Sequence, residues 1–218
     1  MKLLDSDVLY VDNHIMVVRK KENLLTQKIA SGEENLEDLC KEWLKEKFSK
    51  PGNVFLHCIH RLDKPVSGCV LFARTSKALS RLQEEMREKK IVRIYEAWVE
   101  GIFSQKEGTL EHYLVHGEHR AFVSSKEDTE AKKATLFFSV LEEKKNKTLV
   151  EIRLDTGRYH QIRAQFSAMG HPIIGDEKYG STVYEDRMLL HQKYLEFVHP
   201  VTKEKMTFSI PLLKSFFV

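Results

Sequence analysis

Short runs of β-branched and aromatic residues recur along the whole chain, and they constrain the fold more than any other feature. They cover residues 8–11, 15–18, 54–59, 69–73, 91–99, 135–140, 148–154 and 206–210. Such runs fit a pleated, half-buried surface and are short for helices. Val150, Ile152 and Leu154 alternate with Glu151 and Arg153, the period of a strand with one buried face. Asp12-Asn13-His14 between the first two runs predicts an opening hairpin. Helical spacing is confined to three segments. Leu36, Leu39, Cys40, Trp43, Leu44 and Phe48 define the first. Ser76 is placed to cap the second, with Leu79, Leu82 and Met86 on one face. The third is expected over residues 158–169, between Thr156-Gly157 and a stop at Gly170. Strands and helices do not alternate regularly. The expected class is therefore α+β: a central, mainly antiparallel mixed sheet flanked by helices.

With 218 residues, 42% hydrophobic and 31% charged, the chain can bury a sizeable core. No repeat, low-complexity segment or Pro-rich linker divides it, so one domain over 1–218 is expected. No apolar run approaches the ~18 residues of a membrane span, and Asp5 comes too early for a signal peptide, which predicts a cytoplasmic protein and no membrane partner. Cys40, Cys58 and Cys69 show no C-x-x-C spacing and read as reduced packing residues. The net charge of +3 is modest, but nine Lys/Arg face four Asp/Glu between Arg61 and Arg93. That stretch fits either a solvated helix face or a nucleic-acid contact.

Several chemistries are excluded by inspection. No two glycines lie two residues apart, which removes G-x-G-x-x-G loops, and there is no P-loop, H-E-x-x-H or G-x-S-x-G. His112, His116 and His119 have ligand-like spacing, but Tyr113-Leu114-Val115 reads as strand, where only His112 and His116 share a face. No metal is expected there.

Two stretches can carry chemistry. In His60-Arg61-Leu62-Asp63-Lys64-Pro65-Val66-Ser67-Gly68, the cations beside Asp63 favour its ionised form. An ionised carboxylate on such a loop is either a nucleophile or base, or a turn residue capping backbone amides. In Thr156-Gly157-Arg158-Tyr159-His160-Gln161-Ile162-Arg163, helical projection puts Tyr159, Ile162, Phe166 and Met169 on one arc, with Arg163 just beyond its edge. Arg163 can reach inward to a carboxylate or snorkel outward over the core.

The ordered series H-R-L-D-x-x-x-S-G, K-x-x-R-x-Y-x-A-x-V-x-G (positions 90–101), T-G-R-x-H-Q-I-R and G-H-P-I-I-G-D-x-x-Y-G resembles the RluA family of RNA pseudouridine synthases. Lys133-Ala134-Thr135 and Leu190-His191 extend the likeness over positions 8 to about 200. The resemblance implies an enzyme that converts chosen uridines of structured RNA, transfer or ribosomal, to pseudouridine. It implies no metal or organic cofactor, since the isomerisation is redox-neutral, and no obligatory protein partner is evident. By resemblance, Asp63 is the catalytic aspartate, Tyr95 stacks on the base and is a candidate proton carrier, and Arg163 pairs with the catalytic carboxylate. Arg61 would fill the gap left by a flipped nucleotide, Leu190 would line the pocket, and His60, Arg158 and His160 would contact RNA.

The sequence departs from the family pattern at Lys20-Lys21-Glu22-Asn23-Leu24, where K-P-x-G-L is usual, at Val66 for Thr, and at Gln165 for His. The stretch before the first strand is too short for an S4 domain, so a catalytic domain alone is expected. Two rival readings are an inactive relative that only holds RNA and a metal-dependent hydrolase built on His112, His116 and His119.

Overall fold

The computed structural model describes residues 1–30 and 32–211. In chain order the elements are β1 (Val8–Val11), β2 (Ile15–Lys20), α1 (Leu36–Lys47), β3 (His57–Cys58), β4 (Ser67–Ala73), α2 (Ser76–Arg87), β5 (Val92–Glu100), β6 (Glu107–His116), β7 (Ala121–Ser124), β8 (Lys132–Lys144), β9 (Lys147–Leu154), α3 (Gln161–Ala168), β10 (Leu190–Val198) and β11 (Lys205–Ser209). They group into two compact units, one of Met1–Val92 with Gln192–Pro211, the other of Arg93–His191. No helix among the described residues is long and apolar enough to cross a membrane.

The first unit carries the strand order β1-β2-β4-β10, with β3 also on β4 and β11 on β10. Pairings β1–β2, β2–β4, β3–β4 and β10–β11 are antiparallel, as expected. The opening hairpin forms because Asp12 Oδ1 accepts from the amides of His14 (2.8 Å) and Ile15 (2.7 Å). Val17, Leu71, Leu82, Leu195 and Phe197 centre its core. Two expectations are corrected. Thr75, not Ser76, caps α2, its hydroxyl accepting from Ala78 N–H at 3.1 Å. The run 54–59 is a strand only at His57–Cys58, because β2 takes one edge of β4 and β10 shares the other.

The second unit carries the order β5-β9-β8-β6-β7, antiparallel throughout. β8 is longer than the run 135–140 suggested, since it pairs with β6 and β9 together. α3 is shorter than expected and starts at Gln161, because His160 sits at φ 50°, outside any right-handed helix. Tyr159 therefore lies off the helix, and residues 161–166 are buried all round rather than along one arc.

Candidate active site

The Asp63 loop runs between β3 and β4 in the first unit. Asp63 is half-buried and its carbonyl accepts from Val66 N–H at 3.0 Å, closing a tight turn. Both of its neighbours are tied down. Thr26 Oγ1 donates to Leu62 O at 2.8 Å and accepts from Leu62 N–H at 3.1 Å. Lys20 Nζ donates to Lys64 O at 3.0 Å, and also to Leu24 O (2.6 Å) and Lys21 O (2.9 Å). Lys64 itself is ion-paired with Glu33. A carboxylate between two anchored residues keeps its orientation at little entropic cost when substrate binds.

Lys20 is fully buried, and burial pushes its amine down to about 7, against the opposing pull of the negative charges on Asp63 and Glu22. When protonated, it favours the ionised form of Asp63 by the same attraction. Gly68, in β4 just after the loop, sits at φ 140°, and a Cβ there would lie 2.5 Å from Gln192 O, so the close passage of β10 requires glycine. His60 is buried and accepts from Leu71 N–H at 3.3 Å, whereas Arg61 is exposed.

Tyr95, Arg158, His160, Arg163 and Leu190 belong to the second unit. Tyr95 lies on β5 opposite Ile152 and is buried, as is Leu190 at the start of β10. The segment before α3 is knotted by side chains. Gln161 Oε1 accepts from Thr156 Oγ1 (2.7 Å) and Arg158 N–H (3.0 Å), while its Nε2 donates to Thr135 O at 3.1 Å. Arg158 Nε donates to Lys133 O at 3.0 Å.

That knot delivers Arg163 to Asp176 at 5% exposure or less on both sides, with two parallel bonds of 2.7 and 2.8 Å. The guanidinium carbon lies 4.9 Å over the Tyr179 ring. The Tyr179 hydroxyl accepts from Ala121 N–H at 2.7 Å and lies 2.9 Å from His160 Nδ1. Burial, followed by the charges of Arg163 and Lys178, lowers the His160 imidazole to about 3, so it stays neutral near pH 7. Gln165 is fully buried and donates to Leu110 O and Ala134 O, tying α3 to β6 and β8.

Of the two orientations open to Arg163 in the sequence, the inward one holds. Lys20, Thr26, Asp176 and Tyr179 were not singled out as site residues. Asp176 and Tyr179 were within sight as the D and Y of G-D-x-x-Y-G, whereas nothing in the local sequence joins Lys20 or Thr26 to a loop some forty positions on. Of the three histidines with ligand-like spacing, His112 meets Gln165 (3.1 Å), His116 packs on Tyr159, and His119 is exposed.

Comparison with solved structures defines the fold. The human RNA Pseudouridylate Synthase Domain Containing 4 matches with a TM-score of 0.81, covering 97% of this chain and 90% of its own at 22% identity, and Domain Containing 1 matches at 0.76, 99%, 89% and 23%. The fold is that of the pseudouridine synthases. The family model described as RNA pseudouridylate synthase matches residues 14–168, and the chain belongs to that family. The uncharacterized RNA pseudouridine synthase YjbO of Bacillus subtilis is 34% identical over 208 residues, covering 94% of this chain and 72% of its own. The dual-specificity RNA pseudouridine synthase RluA of Haemophilus influenzae is 32% identical over 207 residues, covering 93% and 91%. The chain is thus an isomerase acting on RNA.

Proposed function

We propose that the chain acts as one catalytic domain in the cytoplasm, isomerising chosen uridines in a transfer or ribosomal RNA, with Asp63 as the catalytic carboxylate. Asp63 attacks the sugar or assists cleavage of the bond from C1′ to N1, uracil leaves with the bonding electrons, rotates, and rejoins C1′ through C5. The proton on C5 is then lost and N1 gains one, so atoms balance and no redox partner is needed. Tyr95 stacks on the base and serves as a candidate for moving that proton. Arg163 is the arginine that the family resemblance assigns to the catalytic carboxylate, with a guanidinium suited to a forked pair. Arg61 fills the gap left by the extruded uridine, Leu190 lines the pocket, and His60, Arg158 and His160 support the RNA.

The observation that carries this reading is the anchoring of Asp63 between Leu62, held by Thr26, and Lys64, held by Lys20. A turn aspartate that merely caps amides has no use for a fully buried lysine facing it. The test is pseudouridine mapping of cellular RNA with the gene intact, deleted, and replaced by Asp63→Asn. A site that disappears on deletion and stays absent with the variant supports the reading. A site fully restored by Asp63→Asn removes Asp63 from the chemistry.

A further inference from the structure

The second unit contains a cleft of about 520 Å³ between β6, the segment before β8, and the segment before α3. Leu114 and Ala121 give it an apolar floor. The His116 and Tyr159 rings meet at its side with centroids 4.1 Å apart, and Tyr159 is stacked at 3.8 Å on the buried His160. Lys132 and Arg158 bring two exposed cations to it against one acid, Glu130.

A second feature lies against the same wall. Arg93 is 9% exposed, and among the described residues its Nε is buried without a hydrogen-bond partner. It packs on the Gly157 backbone, which lines the cleft, so closely that a Cβ there would lie 2.8 Å from Arg93 Nη1. A buried guanidinium nitrogen left unsatisfied is costly, and an anion reaching the same guanidinium offsets that cost.

An apolar floor, two aromatic rings and a cationic wall are the chemistry of one nucleotide of single-stranded nucleic acid. We propose that this cleft holds a nucleotide of the RNA substrate other than the uridine being isomerised, its base against Tyr159 and His116 and its phosphate toward Arg93 and Lys132. The proposal deepens the synthase reading and rests on it for the identity of the ligand as RNA.

The test uses a hexauridylate RNA substituted with 4-thiouridine, photo-cross-linked to the full chain, with the modified peptides mapped. Cross-links are expected on peptides bearing His116 and Tyr159. Lys132→Glu and Tyr159→Ala should each weaken binding at least about fivefold, the low end of base stacking. Tyr159→Phe should restore it, and Lys144→Glu, exposed at the end of β8, should bind like the parent. Arg93→Met should weaken binding and flatten its salt dependence without lowering the melting temperature, whereas a structural arginine would show the reverse. Unchanged binding in both Lys132→Glu and Tyr159→Ala, or cross-links mapping only elsewhere, overturns the subsite and leaves the synthase reading standing. Cleft cross-links in a chain that forms no pseudouridine in any cellular RNA support the subsite and sink the synthase reading instead.

Discussion

Arg163 and Asp176 share two nearly parallel hydrogen bonds inside the second unit, Nε to Oδ2 at 2.7 Å and Nη2 to Oδ1 at 2.8 Å. The arginine assigned by resemblance to the catalytic carboxylate is therefore already held by another one. Asp176 fixes the plane of the guanidinium and Tyr179 covers its face.

Asp176→Asn should lose about 3–5 kcal/mol of stability, the cost of leaving one side of a buried ion pair uncompensated. Turnover per folded molecule should fall as well, because the guanidinium is no longer held in one plane. Urea unfolding in parallel with pseudouridine assays separates the two effects. Normal turnover per folded molecule would make the pair purely structural.

Asp63→Asn preserves size and most hydrogen bonding but removes the charge. It should fold like the parent, bind RNA, and form no detectable pseudouridine. Parent-like turnover in a well-folded variant would falsify the assignment.

Tyr95→Phe keeps the ring and loses only the hydroxyl. RNA affinity should persist while turnover drops by about 10²-fold or more, the lower range of general acid–base contributions. Near-parental turnover would restrict Tyr95 to stacking.

Lys20 gives a pH signature. Its amine titrates at about 7 in the folded chain against an ordinary 10.5, so the unfolded chain binds more protons between those values. The stability from this group therefore rises with pH across that window and is lost as pH falls through it. The stability difference between the parent and Lys20→Met should move in the parent's favour from pH 6.5 to pH 9.5. A difference independent of pH would show that Lys20 does not titrate in this range.

Gly68→Ala should cost about 1–3 kcal/mol through overpacking against Gln192, and its backbone strain adds to that. Since Gly68 follows the Asp63 loop at the start of β4, turnover should fall further than the folded fraction does. An unchanged melting temperature would mean that β10 yields at no cost.

The strands at 8–11, 15–18, 148–154 and 206–210 and the helices at Leu36 and Ser76 were readable because local period and turn chemistry agree with the final packing. Reading failed where tertiary contacts outweighed local pattern. The α3 segment scores as amphipathic from residue 158, yet Thr156, Gln161 and the left-handed His160 hold its first residues off the helix. The 54–59 run has strand composition, yet one edge of β4 has room for only two of its residues beside β10.

By itself the sequence determined the fold class, the positions of most strands along the chain, and the motif positions from which Asp63, Tyr95 and Arg163 were drawn, because periodicity and motif spacing are local properties of the chain. Only the tertiary structure decided that Arg163 is forked by Asp176, that Lys20 is buried beneath the Asp63 loop, and that the Arg93 Nε is buried without a hydrogen bond among the described residues. Burial and charge pairing depend on which distant segments exclude water from a side chain, and no short window of sequence carries that information.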